Sequence, residues 1–267
     1  MNFQKTLETA ESIARQAGAI IREYYHRSVQ VDFKSELDLV TDADRAVETY
    51  LLDALREAFP EIGIVGEEGG AYAPENASYA WYIDPIDGTT NFAHRMPHCA
   101  VSLGLADTNM NPALGVVYNP IHDDCFAGYT GGGASLNGKP IHVSDTSMLN
   151  RAMFTTGFPY DRNTAEENNK REWMAMLLHT QAVRCLGSAA LDLAYVAAGW
   201  MDGYWEQKLN RWDCFAGIVL VREAGGIVTD YAGGDAGLHL SQVQLVATNG
   251  HIQGETLRVI QDVREMV

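Results

Sequence analysis

The chain has 267 residues, 46% of them hydrophobic and 20% charged, the balance of an ordinary globular protein with a sizeable core. Its 19 Lys and Arg against 35 Asp and Glu leave a formal net charge of −16, which repels nucleic acid and anionic membranes and argues against direct nucleic-acid binding. Cys99, Cys125, Cys185 and Cys214 are scattered without a Cys-x-x-Cys, and neither a basic-then-apolar leader nor a membrane-length apolar run occurs, so a reducing, cytoplasmic setting is expected.

Phe3, Leu7, Ala10, Ala14, Ala17, Ile21 and Tyr24 recur three and four apart, which predicts a long amphipathic helix. A short strand is expected at residues 31–33, then a polar, turn-rich stretch from Lys34 to Asp44. Thr41 or Asp42 caps a second helix that turns Ala43, Val47, Tyr50, Leu51, Ala54 and Leu55 inward. Residues 62–66 read as a strand running into Glu67-Glu68-Gly69-Gly70, with a loop from there to Ser78. Trp81-Tyr82-Ile83 is an apolar, aromatic and β-branched strand. It is expected to stop at Asp84-Pro85, because proline has no N–H to continue a ladder. Asp87-Gly88 then turns, and Thr89-Thr90-Asn91 supply capping groups for whatever follows.

Three strands of an antiparallel meander are expected at 100–106, 113–118 and 124–129. Gly131-Gly132-Gly133 reads as a glycine turn and not a phosphate loop, since Gly138-Lys139 is followed by Pro140. Farther on, strands at 152–157, 182–185, 203–205, 226–230 and 243–248 alternate with helices at 165–178, from Ser188 to Ala198, at 212–224 and from His251 onward. That alternation predicts an α/β C-terminal half (151–267) beside an α+β N-terminal half (1–150), the two forming one compact unit over 1–267.

Chemistry concentrates around residues 84–92. Asp84 and Asp87 sit on a strand end and the turn after it, so their carboxylates can converge. Hard divalent cations such as Mg²⁺ take oxygen ligands of this kind, and the backbone beside Pro85 offers the Ile86 carbonyl as another. Gly88 and the following threonine N–H groups can face a phosphate. Taken alone, an acidic turn is equally compatible with plain solvation. Glu67, Asp213, Asp44 and Glu206 also lie at element ends, with helix capping as the competing account of Asp44 and Asp213. His94 and His98 are four apart, but Pro97 between them forbids a helical ligand pair, which leaves them a structural or solvent role. No Gly-x-Ser-x-Gly elbow is present.

Five segments occur together: Lys34…Asp38-Leu39-Val40-Thr41-x-x-Asp44, Gly66-Glu67-Glu68, Asp84-Pro85-Ile86-Asp87-Gly88-Thr89-Thr90-Asn91-Phe92, Gly187-Ser188-Ala189-Ala190 and Trp212-Asp213-x-x-Ala216-Gly217. In order and spacing they resemble the inositol monophosphatase family. Gly187 to Gly199 and Arg222 to Gly226 most resemble its bacterial SuhB-type branch. The resemblance implies a layered αβαβα sandwich, a homodimer, and lithium-sensitive hydrolysis of a small phosphate monoester by metal-activated water attack. Myo-inositol 1-phosphate or a related polyol or sugar monophosphate is the implied substrate, with two or three Mg²⁺ per site.

By motif position, Glu67, Asp84 and the Ile86 carbonyl would hold the first Mg²⁺, Asp84, Asp87 and Asp213 the second, and Glu67 a third. Thr89, oriented by Asp44, would position and help deprotonate the attacking water, while Gly88 and Thr89 N–H groups bind phosphate oxygens. Asp87, Gly187, Ala189 and Glu206 would contact sugar or inositol hydroxyls, and Lys34 would steady a loop or a carboxylate. The chain departs from the animal enzymes in a shorter Lys34–Asp38 loop, in Gly157-Phe158-Pro159-Tyr160, and in a short segment after Gly233-Gly234. Related families act on fructose 1,6-bisphosphate, histidinol phosphate or nucleotide 3′-phosphates, and a regulatory protein-binding role on the same fold is the reading from another class. Glu206 favours a polyhydroxyl substrate, because a carboxylate accepts hydroxyl hydrogen bonds and repels a second phosphate.

Overall fold

The computed structural model describes every residue except 28–29, 35–37, 236–237, 241 and 266–267. Parts of the Lys34–Asp38 loop and of the segment after Gly234 therefore lie outside the described residues. Helix α1 (Phe3–Tyr25) starts where the Asn2 side chain accepts from the Lys5 N–H, and Leu7, Ala10, Ala14, Ala17 and Ile21 form its buried stripe, as their spacing predicts. Strand β1 (Val31–Phe33) pairs antiparallel with β2 (Leu39–Thr41), a strand inside the stretch that composition marks as turn. Polar flanks conceal three strand-forming residues there, and pairing with β1 makes the strand. Helix α2 (Asp42–Ala58) opens on a capping box in which Thr41 and Asp44 bond each other's backbone.

The chain continues through β3 (Gly63–Gly66), β4 (Ala71–Tyr72), β5 (Tyr79–Asp87), α3 (Thr89–Ala93), β6 (Ala100–Asp107), β7 (Pro112–Asn119), β8 (Asp124–Tyr129), β9 (Gly133–Leu136) and β10 (Lys139–Pro140). Eight of these strands form one sheet in the order β10-β9-β8-β7-β6-β5-β3-β4. Then come β11 (Met153–Thr156), α4 (Lys170–His179), β12 (Ala182–Arg184), α5 (Ala189–Ala197), β13 (Gly203–Leu209), α6 (Arg211–Glu223), β14 (Ile227–Thr229), β15 (Val243–Thr248) and α7 (Gln253–Glu265). Their strands form a five-stranded sheet, β12-β11-β13-β15-β14, in which β11 runs parallel to both neighbours. Helices α1 and α2 cover the outer face of the large sheet, α5 and α6 fill the space between sheets, and α4 and α7 cover the outer face of the small one. The layers are thus α, β, α, β, α. No described helix is long and apolar enough to cross a membrane.

Three boundaries differ from expectation, each for a tertiary reason. Strand β5 does not stop at Asp84-Pro85 but runs to Asp87, which pairs with Ala100. Between Asp84↔Ser102 and Asp87↔Ala100 the β5 side carries one extra residue, a bulge that absorbs the proline's missing donor. Strand β13 extends past Glu206 to Leu209, so Glu206 is not at the strand end but is the last residue paired before a second irregularity. Helix α4 begins at Lys170 and not near 165, because Asn169 is in the left-handed conformation, with φ 67°.

The central helix α6 lies unusually close to the large sheet. Gly104, Gly115 and Gly128 are register partners across β6, β7 and β8 and leave a column without side chains. A Cβ at Gly104 would sit 2.7 Å from the Phe215 Cβ and 2.8 Å from the Ala216 nitrogen, and one at Gly115 would overlap the Ala216 backbone. The Ser102 hydroxyl donates to the Trp212 carbonyl at 2.9 Å, tying β6 to the first turn of α6. This approach carries Asp213 toward the β5 carboxylates.

Candidate active site

The bulge in β5 is the foundation of the site. The Ile86 N–H donates to Asp84 Oδ1 at 2.9 Å across Pro85, which orients that carboxylate over the break in the ladder. Asp87, the next paired residue, accepts from the Ser188 hydroxyl at 2.5 Å and the Ala190 N–H at 2.8 Å, so the start of α5 fixes it. Gly88 follows with φ 90°, and a Cβ there would press on the carbonyl oxygens of His98 at 3.0 Å and Gly187 at 3.1 Å. A side chain is excluded by both conformation and space. Thr89 then donates its hydroxyl toward the Ile86 carbonyl at 3.1 Å and Asp44 Oδ1 at 3.2 Å. The other Asp44 oxygen accepts from the Thr41 N–H and hydroxyl. Asp44 is therefore both a helix cap and the partner of Thr89; the two accounts of this residue are compatible.

Asp84, Asp87, Ile86, Gly88, Thr89 and Glu67 line a cleft of about 570 Å³ together with Gly187, Ala189, Glu206 and Asp213 from the second half. Asp44 does not line it but stands behind Thr89, fully buried. Asp213 accepts from the Asn210 N–H at 2.6 Å within a capping box, so its helix-capping role coexists with its place at the cleft. Lys34 reaches the same cluster, paired with Glu67 at 2.9 Å and Glu68 at 2.5 Å. Phe158 and Tyr160 of the Gly157–Tyr160 segment also line the cleft.

Burial and mutual repulsion dominate the electrostatics. Burial, then the charges of Glu67, Asp87 and Asp213, push Asp84 well above the usual carboxylate range. Burial also raises Asp213, with Glu67 and Asp87 adding to it. Asp87 and Asp44 are each pushed up to about 6 by burial, held below a still higher value by their hydrogen bonds. Burial lifts Glu206 to about 7, against the hydrogen bond it accepts from Tyr204. Among the described residues no group of three His, Cys, Asp or Glu side chains already stands in the geometry of a closed metal shell. The donors that converge are nonetheless all oxygen and strained by their own charge, a set suited to a hard divalent cation.

Sequence reasoning missed several supports. The Glu48 carboxylate accepts from the Glu68 and Gly70 N–H groups at 2.8 and 2.9 Å and so shapes the turn that presents Glu67. Asn91, read only as a capping residue, instead donates to the carbonyls of His98 and Leu186 at 2.8 and 2.7 Å, joining α3 to the loop before α5. Ser188 was legible as the cap of α5 but not as a donor to Asp87. Glu48 falls on the inward face of α2, about one turn from Asp44 and from Leu51, a polar residue where the period calls for an apolar one, and that was the available signal. His98 is buried, its imidazole pushed down to about 4 by that burial, and belongs to the packing.

An acidic cleft beside a glycine turn, set between the layers of an αβαβα sandwich, defines the sugar-phosphatase type of fold and site. The sequence profile of the Inositol monophosphatase family matches residues 2–265. The inositol-1-monophosphatase of Synechocystis sp. is 44% identical over 255 residues, which is 95% of this chain and 88% of the relative. Nus factor SuhB of Pseudomonas aeruginosa is 41% identical, over 86% of this chain and 87% of its own. The solved inositol monophosphatase from Anabaena (Nostoc) sp. superposes with a TM-score of 0.89 at 42% identity, covering 98% of this chain and 97% of that one. The chain belongs to the inositol monophosphatase family, and it is a phosphoric monoester hydrolase.

Proposed function

We infer that this phosphatase hydrolyses myo-inositol 1-phosphate and related polyol or sugar monophosphates in a Mg²⁺-dependent reaction. The observation that carries the reading is one cleft lined by Glu67, Asp84, Asp87 and Asp213 together with Glu206. Glu67, Asp84 and the Ile86 carbonyl are assigned to one cation, Asp84, Asp87 and Asp213 to a second, with Glu67 available to a third. Bound there, Mg²⁺ would offset the charge of the phosphate and of the departing oxygen and favour deprotonation of water. The chain's own contribution is placement. Thr89, held between Asp44 and the Ile86 carbonyl, orients the attacking water and passes its proton toward Asp44. The Gly88 and Thr89 N–H groups take phosphate oxygens. Glu206, with the backbone of Gly187 and Ala189 and the carboxylate of Asp87, takes the hydroxyls of the ring.

Phosphate release from inositol 1-phosphate, fructose 1,6-bisphosphate, histidinol phosphate and adenosine 3′,5′-bisphosphate tests this, with Mg²⁺, without it, and with Li⁺. Turnover led by inositol 1-phosphate, dependent on Mg²⁺ and inhibited by Li⁺, is the expected result. Another leading substrate would overturn the substrate assignment and keep the chemistry. A second reading is favoured by the Nus factor name of relatives near 40% identity, such as the one from Xylella fastidiosa at 40%: a regulatory, protein-binding role on the same fold. Absence of release from all four esters would support it. A cytoplasmic homodimer is proposed on family likeness, and light scattering that returns a monomer mass at micromolar concentration would refute the dimer.

A further inference from the structure

We propose that Asn169, a residue that lines no part of the cleft, is a positioning residue that holds Glu206 in place and so sets selectivity for hydroxyl-rich phosphate esters. The proposal rests on the hydroxyl-binding role of Glu206 given above. Asn169 is fully buried and immediately precedes α4. An asparagine at a helix start ordinarily turns its side chain back to cap the first N–H groups. This one makes no cap bond, and Asn168 Oδ1 accepts from the Lys170 N–H instead, at 3.2 Å. Its backbone is also left-handed, at φ 67°, a conformation uncommon for a non-glycine residue. Helix initiation explains neither feature.

The side chain is spent elsewhere. Its Nδ2 donates to Thr156 Oγ1 at 2.8 Å and to the Gly157 carbonyl at 2.5 Å, and its Oδ1 accepts from the Trp205 indole N–H at 2.6 Å. Thr156 in turn donates to the Trp205 carbonyl. With its amide oxygen turned inward, Gln207 accepts from the Asn168 and Asn169 N–H groups at 3.1 and 3.0 Å. Asn169 therefore grips the residue before Glu206 through its side chain and the residue after it through its backbone. It also holds the carbonyl of Gly157, the residue against which Glu206 rests: a Cβ at Gly157 would overlap the Glu206 carboxylate. On its remaining side that carboxylate accepts from the Tyr204 hydroxyl at 2.6 Å. Two donors and an acceptor of one buried amide thus join the end of β11 to the middle of β13 beside the substrate's hydroxyl-binding group. Loss of the amide frees Trp205 and Gly157 to move, and a displacement of about 1 Å at a recognition group lowers kcat/KM by up to ~10²-fold, here through KM because Glu206 takes hydroxyls and not the reacting phosphate.

The test compares wild type, Asn169→Gly, Glu206→Ala and the double variant on inositol 1-phosphate and on 4-nitrophenyl phosphate, which has no hydroxyls to recognise. Glycine accepts the left-handed backbone and removes the whole side chain, the amide with its Cβ. For Asn169→Gly the expected result is a KM for inositol 1-phosphate raised by about ten- to hundredfold, with kcat and both constants for 4-nitrophenyl phosphate little changed. In the Glu206→Ala background the same substitution should change nothing further. Equal losses on both esters, or a persisting effect without Glu206, would overturn the proposal. If Glu206→Ala alone leaves the ratio of the two esters unchanged, the Glu206 reading itself fails. If it changes the ratio and Asn169→Gly does not, only the role of Asn169 falls. Should the glycine variant not fold, Trp205→Phe keeps an aromatic side chain, though a smaller one, removes the indole N–H from the same network, and must reproduce the selective rise in KM.

Discussion

Asp87 is the residue on which most of the site depends: it ends β5, precedes the left-handed Gly88, and is anchored by Ser188 and Ala190 from the other half of the chain. Asp87→Asn is expected to abolish phosphate release while the circular dichroism spectrum stays native, since the amide matches the carboxylate in size and removes a proposed ligand. Wild-type activity in that variant would remove Asp87 from the metal assignment. Ser188→Ala acts one step farther out. It deletes the hydroxyl that donates to Asp87 and should weaken Mg²⁺ activation by about 10–100-fold, the range for partners of metal ligands. A Mg²⁺ titration of activity reads this directly, and an unchanged midpoint would show that the Ala190 N–H alone suffices. At this scale the carboxylates that line the cleft were visible in the sequence as candidates, because Asp84 and Asp87 flank Pro85 and four further motif segments accompany them. Their supports were not. Glu48, Asn91 and Asn169 act on backbone groups far along the chain, and no spacing rule links them to what they hold.

Among the elements, α6 carries Asp213, and the glycines beneath it govern how near that carboxylate comes to Asp84 and Asp87. Gly115→Ala inserts a methyl group into the Ala216 backbone, and the helix must shift to admit it. Such overpacking costs about 1–3 kcal/mol, so the urea midpoint should fall. Activity should fall as well, because Asp213 moves with the helix. A variant that loses stability and keeps full activity would show that Asp213 tolerates displacement. The helices α1 and α2 were legible from periodicity, since each presents one apolar face to the large sheet. By contrast α5, α6 and the meander β6 to β8, largely buried on both sides, were legible from their caps, turns and apolar runs. Strand β2 was not, for its partner makes it. The course of β5 past Pro85 depends on a bulge against β6, and the late start of α4 on the side-chain bonds of Asn169; both are decided by neighbours.

For the molecule as a whole, burial first and mutual repulsion second hold the carboxylates in and behind the cleft above their usual range. Asp44 and Asp87 are pushed up to about 6 and Glu206 to about 7, against about 4 for such groups in an unfolded chain. The folded state thus holds these protons more tightly than the unfolded state does. The stability tied to these protons is fully present below about pH 4 and is lost as pH rises toward 7. The metal-free protein should accordingly melt at lower temperature at pH 7.5 than at pH 5. Added Mg²⁺ should raise Tm more at pH 7.5, where the carboxylates are ionised and free to bind it. Thermal scans in EDTA and in excess Mg²⁺ at both pH values check the sign. A Mg²⁺ effect equal at the two would place the ion away from these groups.

What the sequence determined by itself was the order of most helices and strands and the inventory of candidate oxygen donors; the layering followed from the family resemblance. Amphipathic period, capping residues and the Asp84 to Asn91 segment are local signals, and local signals survive in one dimension. The tertiary structure decided which carboxylates share a cleft, how Pro85 is carried inside a strand, and which buried amide steadies Glu206. Those outcomes depend on the closeness of β5, α5, α6 and β13, and closeness between segments distant in the chain arises only when the apolar faces of the layers close on one another.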